Sequence, residues 1–338
     1  MKNACIVGFG AIGPVHAKAI CELDDINLYA VCDIDEKKLD IASQKYDIVK
    51  YTDFDVALKD DNIDVIHICT PHYLHVKMTI DAIKAGKDVV LEKPVALNNK
   101  DLELLIKAYN EYGKKVCVMF QNRYNAAFKK MLEMKKSDKS LGKFLGAFAN
   151  MRWQRDEKYY AQDDWRGKWN TEGGGVLINQ SVHLLDMLLL CTDTPKSLTA
   201  TMSTKLLKNA IEVEDNFDAI FEFEDDYRAA FYVTNNYAYS VPFFVELNFE
   251  NATLRYADNV LYKFTKNPAD CSVICADNTN SPGKAVWGTG HKMVIDDFYK
   301  YLEGKNNSYL TLEDAYLTTN IMHKMYKSAK NNGEKINV

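Results

Sequence analysis

The sequence predicts an α/β chain: an N-terminal doubly wound parallel sheet of the Rossmann type, then an α+β domain built on a large, mostly antiparallel sheet. Three observations predict it. The first third alternates short apolar runs with amphipathic segments, and a glycine-rich turn, Gly8-Phe9-Gly10-Ala11-Ile12-Gly13, follows the first run. After about residue 123 the alternation gives way to strand-like runs joined by hairpin-type turns. At 338 residues the chain also exceeds the roughly 250–300 at which one hydrophobic core stops growing. The expected domains are 1–123 and 124–338, with the C-terminal helix able to pack back on the first.

The expected first-domain strands are Ala4–Gly8, Leu28–Asp33, Val65–Thr70, Val89–Glu92 and Val116–Gln121. Several are continuous in Val, Ile, Leu or Cys, as strands covered on both faces should be. Tyr73–Ala85 carries Leu74, Met78 and Ala82 at helical spacing and stops at Gly86; Lys100–Tyr112 carries Leu102, Leu105 and Ile106 and stops at Gly113. In the second domain, Ala126–Lys136 reads as a helix. The runs Leu198–Lys205, Phe217–Phe223, Arg228–Thr234, Phe243–Phe249 and Thr253–Tyr256 read as strands, with turns at 224–227 and 250–251. Helices near His291–Leu302 and Leu312–Ser328 close the chain.

Composition narrows the function classes. Hydrophobic residues make up 47% and charged residues 26%, as in a packed globular protein rather than a disordered one. The net charge of -5 opposes the basic footprint that nucleic-acid binding requires. The most apolar stretch, Val176 to Cys191, is interrupted by Asn179, Gln180, His183 and Asp186, so no membrane span is expected. Without a leader-like start, and with eight scattered cysteines, the chain is expected to be cytoplasmic and free of a disulfide framework.

The glycine turn is the strongest chemical signal. Its first glycine permits the tight turn, the second lets the backbone approach a pyrophosphate, and the third allows close packing at the helix start. Gly8, Gly10, Ala11, Ile12 and Gly13 are therefore expected to hold a dinucleotide. Asp33, 20 residues after Gly13, can accept hydrogen bonds from a ribose diol and repel a 2′-phosphate, which favours NAD over NADP. Cys69-Thr70-Pro71-His72 and Glu92-Lys93-Pro94 end neighbouring strands, where open α/β sheets bind ligands. Lys93 has two readings: a group that holds a substrate hydroxyl, or a surface lysine. Asn179 and His183, four apart after Gly173-Gly174-Gly175, should share one helix face. His183 is then either a cleft residue or a satisfied core histidine. Arg155 and Tyr160 belong to a polar and aromatic patch suited to a sugar face or to a solvated loop. Cys271 and Cys275 lack the partners of a zinc site, and His72 with His75 read as a helix start rather than metal ligands; no metal is expected.

The glycine-rich start, Glu92-Lys93-Pro94, and Trp165-Arg166-Gly167 followed by Gly173-Gly174-Gly175-Val176-Leu177-Ile178-Asn179-Gln180-Ser181-Val182-His183 resemble the glucose–fructose oxidoreductase / inositol dehydrogenase family (Gfo/Idh/MocA). The resemblance extends to Gly288-Thr289-Gly290-His291 and covers nearly the whole chain. It implies NAD as cofactor and a sugar, glycoside, nucleotide sugar or cyclitol as substrate, with Lys93 and His183 flanking the reacting carbon. It further implies that Thr70, Pro71, His72, His75, Glu92, Asn122, Trp165, Arg166 and Trp287 contact the cofactor. The antiparallel sheet would form a homodimer or homotetramer interface. Many members carry Asp where this chain has Asn179, which cannot accept and release a proton; here it is expected to hydrogen-bond substrate. Two other functions fit the resemblance: a glycosidase that oxidises its substrate transiently with NAD, and a non-catalytic sugar- or NAD-sensing regulator.

Overall fold

The computed structural model describes residues 1–267, 269–277 and 290–338. The chain divides into two compact units, Met1–Gln121 with Gly290–Tyr316, and Asn122–Thr289 with Leu317–Val338.

The first unit runs β1 (Lys2–Val7), α1 (Gly13–Cys21), β2 (Ile26–Cys32), α2 (Glu36–Ser43), β3 (Val49–Tyr51), α3 (Phe54–Leu58), β4 (Val65–Ile68), α4 (His75–Lys84), β5 (Asp88–Leu91), α5 (Asn99–Tyr112) and β6 (Val116–Val118). The strands form a six-stranded parallel sheet in the order β3-β2-β1-β4-β5-β6. The order reverses at β1 and β4, the switch point at which such sheets bind ligands. All four β4 side chains are buried, as are the last three of β5 and all of β6, which is why these segments read as apolar runs interrupted only by His67. Side chains cap three helices: Asp35, Asp53 and Asn98 accept from the N–H groups of Lys37, Asp55 and Asp101. Helix α5 stops at Gly113, whose φ of +65° suits a residue without a Cβ.

The second unit contains α6 (Ala126–Ser137), β7 (Phe144–Arg152), α7 (Glu157–Tyr160), α8 (Val182–Cys191), β8 (Ser197–Ser203), β9 (Asn216–Glu222), β10 (Arg228–Thr234), β11 (Phe244–Phe249), β12 (Ala252–Ala257), β13 (Val260–Thr265) and β14 (Cys271–Ala276). Helix α9 (Gly290–Leu302) belongs to the first unit and packs on α1. The division falls within α10 (Leu312–Lys330), and β15 (Ile336–Asn337) closes one sheet edge. The nine-stranded sheet, in the order β14-β13-β12-β11-β7-β10-β9-β8-β15, is antiparallel except for the β7/β10 pair. Helix α8 packs against β7 and β11 on one face. Cross-strand pairing puts Phe148, Ile220 and Tyr232 together on one face, and Ile220 and Tyr232 are each 41% exposed.

One expected element is divided. Residues 176–180 form a π turn, in which the Ser181 N–H donates to the Val176 carbonyl, and α8 begins only at Val182. Asn179 and His183 therefore occupy successive helical segments rather than one continuous helix. No helix among the described residues is long and apolar enough to cross a membrane.

Candidate functional site

In the first unit, sequence places the glycine turn and the ends of β4 and β5 side by side. Gly8 has φ +92°, and a Cβ there would lie 2.7 Å from the Cys69 carbonyl oxygen. A Cβ at Gly13 would lie 2.5 Å from the Gly8 carbonyl, so a side chain at either position would push the turn apart. Nothing lies within 4 Å of a Cβ on Gly10, and Gly10 and Ala11 are exposed. Ile12 precedes the first helical residue of α1, with Pro14 in its first turn. This is an open backbone cradle at a helix N-terminus, the geometry that suits a pyrophosphate.

Asp33 is buried and already engaged: its carboxylate oxygens accept from the Phe9 N–H at 2.7 Å and the Asp35 N–H at 2.9 Å. It thus ties the end of β2 to the glycine turn as well as lying where a ribose would be read. Thr70 Oγ1 is buried with no hydrogen-bond partner among the described residues, a polar atom of the kind a bound ligand satisfies. Pro71 and His72 start a short 3₁₀ turn. Both His75 ring nitrogens lie against backbone carbonyls, Pro94 at 2.7 Å and Thr70 at 3.0 Å, so its ring staples the two strand-end loops together. Burial lowers the His75 pKa, against the pull of those two carbonyls.

Glu92 reveals a buried polar chain. Its Oε1 lies 3.0 Å from His16 Nε2, His16 Nδ1 lies 2.9 Å from His67 Nδ1, and His67 Nε2 lies 2.9 Å from the Tyr299 hydroxyl. All four residues are buried. Burial works to raise the Glu92 carboxyl, but the His16 hydrogen bond and charge, with His291 and Lys93, hold it down at about 2. An anionic Glu92 accepts from His16 Nε2–H. Through His16 that one ionised group is linked to His67 and on to Tyr299, which joins β5, α1, β4 and α9 by a continuous buried polar path. Glu92 Oε2 also accepts from the Lys93 N–H at 3.2 Å, fixing the backbone that carries Lys93.

In the second unit, Asn122 is buried in a 3₁₀ turn beside Arg123, whose guanidinium makes a bidentate pair with Asp186 at 2.6 and 2.8 Å. Asp186 also accepts from the Thr318 hydroxyl at 2.7 Å, so α8, α10 and the 121–124 turn are locked together. Arg166 stacks on Trp165 and Tyr159, 4.5 and 4.8 Å from the ring centres; it donates to Asp163 and to the Tyr159 hydroxyl. Arg155 lies 4.8 Å from both the Trp153 and Tyr159 rings and makes no ion pair among the described residues.

Tyr160 corrects an expectation. Its ring packs with Leu207, Ile211 and Val213, and its hydroxyl accepts from Asn235 at 3.0 Å, so the ring stands in an apolar cluster rather than in a solvated loop. Asn179 and His183 are buried, at 9% and 7% exposure. Two carboxylates hold the glycine run that precedes them. Glu214 accepts from the Gly175 and Leu177 N–H groups and from the Tyr326 hydroxyl. A Cβ on Gly175 would fall 1.9 Å from the Glu214 carbonyl oxygen. Glu172 accepts from the Gly167 N–H at 2.5 Å and from Asn179 Nδ2. Burial pushes both Glu172 and Glu214 up to about 7. Trp287 lies outside the described residues.

Residues 2–120 match a sequence model described as an oxidoreductase family with an NAD-binding Rossmann fold, and residues 128–255 match the GFO/IDH/MocA C-terminal domain. The chain belongs to the Gfo/Idh/MocA family. Among its curated relatives, myo-inositol 2-dehydrogenase of Thermotoga maritima is 32% identical over 129 residues, 38% of this chain and 39% of that protein. Alpha-N-acetylgalactosaminidase of Shewanella oneidensis is 30% identical over 188 residues, 51% of this chain and 40% of that protein. The matches thus span about two fifths of each relative. Solved structures are alike in fold over whole chains. WlbA dehydrogenase from Bordetella pertussis, in complex with NADH and UDP-GlcNAcA, has TM-score 0.86 and 24% identity, covering 100% of this chain and 98% of that one. Levoglucosan dehydrogenase, in complex with NADH and levoglucosan, has TM-score 0.87 and 17% identity, covering 100% and 99%. The matched Rossmann domain is NAD-binding, and the open cradle with the Thr70 hydroxyl beside it fits that cofactor.

Spacing hid two buried polar networks, one in each unit: His16, His67 and Tyr299 in the first, Glu172 and Glu214 in the second. A signal existed for three residues of the two networks. His16, His67 and Glu92 are polar residues inside apolar runs, and a buried polar group needs a partner.

Proposed function

We propose that this chain is an NAD-dependent dehydrogenase of a CH–OH group on a carbohydrate or related polyol. The observation that carries the reading is Lys93, set beside a carboxylate pinned by a buried histidine and placed at the end of β5, next to the cradle at the sheet's switch point. When bound, NAD supplies the hydride acceptor. The Lys93 ammonium holds the reacting hydroxyl and stabilises negative charge as it develops on oxygen, the His183 imidazole takes the hydroxyl proton, and Asn179 hydrogen-bonds the substrate. Arg155, a cation without a carboxylate partner among the described residues, lines the substrate region, and Asp33 disfavours a 2′-phosphate. Support for a sugar comes from relatives and fold neighbours that act on or bind inositol, levoglucosan or a nucleotide sugar.

The test is a panel of inositols, monosaccharides, glycosides and nucleotide sugars with NAD⁺, followed at the NADH absorbance. Formation of NADH with one of these classes supports the reading, and silence across the panel sinks it. A second reading is favoured by the Shewanella oneidensis glycosidase relative: transient oxidation that leads to glycosidic cleavage. Its mark is release of the aglycone with no net NADH.

A further inference from the structure

Asp33 ends β2 where a ribose would be read, and the two oxygens of its carboxylate offer about four acceptor positions. The backbone N–H groups of Phe9 and Asp35 fill one on each oxygen, at 2.7 and 2.9 Å. One position stays open on each oxygen, which matches the pair of hydroxyls of a ribose diol. A carboxylate used in this way also repels a phosphate on the 2′ oxygen, unless a cation stands beside it.

Lys38 supplies such a cation. Its Nζ lies 3.8 Å from Asp33 Oδ2, within ion-pair range but too far for a hydrogen bond, so it balances the charge without taking an acceptor position. Neither residue makes another ion pair among the described residues. The arrangement follows from the start of α2. Asp35 caps that helix, which makes Lys38 its third residue, and the Lys38 N–H donates to the Asp35 carbonyl at 3.0 Å. Helical side chains lean toward the N-terminus, and here the lean carries the lysine stem back over the end of β2. The Asp33 side chain is 6% exposed and that of Lys38 is 42% exposed, so the carboxylate is fixed while the ammonium can swing on its flexible stem.

We propose that Lys38 is a specificity-determining residue for the cofactor: it lets the Asp33 site admit a dinucleotide with a 2′-phosphate, NADP, at a moderate disadvantage to NAD. With NAD, Asp33 takes the diol and Lys38 balances its charge. With NADP, the ammonium turns from Oδ2 to the phosphate oxygens, which carry more negative charge than the carboxylate does. Asp33, Asp35 and Glu36 still outnumber Lys37 and Lys38 in this turn, so NAD keeps the advantage. An ammonium about 4 Å from a phosphate at a protein surface is worth roughly tenfold in affinity. The inference rests on the cofactor site and not on the proposed reaction.

The experiment titrates NAD⁺ and NADP⁺ into the protein by calorimetry with no substrate present, so it needs no turnover. NADP should bind the wild type about tenfold more weakly than NAD does. Lys38→Met should weaken NADP by about a further tenfold while NAD stays within about twofold, and Lys38→Arg, which keeps the charge, should stay within about threefold of the wild type for both. Raising the salt from about 50 to about 300 mM should narrow the gap in Lys38→Met, where the phosphate meets an unbalanced carboxylate, and change it little in the wild type. Equal weakening of both cofactors in Lys38→Met would mean that the lysine only supports α2, and overturns the proposal. Unchanged NADP binding in that variant, or a wild-type gap beyond about a hundredfold, overturns it as well. Silence of the substrate panel while the titrations behave as expected refutes the dehydrogenase reading alone.

Discussion

Replacing His16 with leucine should destabilise the first unit by an amount set by Glu92. The substitution removes the Nε2 donor 3.0 Å from the carboxylate and the ring partner of His67, in a place where water cannot substitute. In the native protein Glu92 is held at about 2 against an ordinary 4.5. Losing that depression alone costs roughly 3 kcal/mol at about 1.4 kcal/mol per pH unit. A depressed carboxylate gives stability that is fully present above 4.5 and is lost as pH falls toward 2. The gap between the two proteins should therefore be largest at neutral pH and narrow in acid, down to the hydrogen bond that His67 loses. In thermal unfolding followed by circular dichroism, ~3 kcal/mol corresponds to a drop of roughly 6–12 °C at pH 7 for a unit of this size. Equal melting temperatures at pH 7, or a gap that widens between pH 5 and pH 3, would refute the reasoning.

Two further outcomes follow from the same structure. Asp33→Ser removes the carboxylate proposed to exclude a 2′-phosphate, together with its bond to the Phe9 N–H; titrated by fluorescence, NAD should bind about tenfold more weakly and NADP no worse. Tighter NADP binding by the unaltered protein contradicts the role given to Asp33. Ile220→Lys combined with Tyr232→Lys puts two charges on the exposed sheet face proposed as the subunit interface, so sedimentation should show a dimer or tetramer falling to monomer with its melting curve little changed. An unchanged oligomer places the interface elsewhere.

What the sequence made legible depended on how local the cause is. The glycine turn, β1, β4 and β5 were legible because a tight turn and a doubly covered strand impose their residues within a few positions. Strand β14 was missed because its burial does not alternate: Cys271, Ser272 and Val273 are all exposed. The exposed β3 failed to register for the same reason. The helix expected to carry Asn179 and His183 has unbroken helical hydrophobicity, but Ser181 bonds five residues back, and periodicity does not distinguish a π turn from an α turn. The Glu172–Asn179 contact spans a glycine run in which Gly173 and Gly174 take φ of +88° and +159°, so the path of the chain, not the spacing, brings the two together. Tyr160 looked like a sugar-stacking ring because its neighbours in sequence are polar, whereas its neighbours in space are Leu207, Ile211 and Val213.

The most direct measurement compares single-turnover oxidation of the panel's substrate by the wild type, Lys93→Met and His183→Ala, alongside NAD titration of each. Both variants should react at least 100-fold more slowly while binding NAD within about threefold of the wild type. Wild-type turnover by either variant would remove that residue from the chemistry, and with it the pairing of ammonium and imidazole on which the proposed reaction depends.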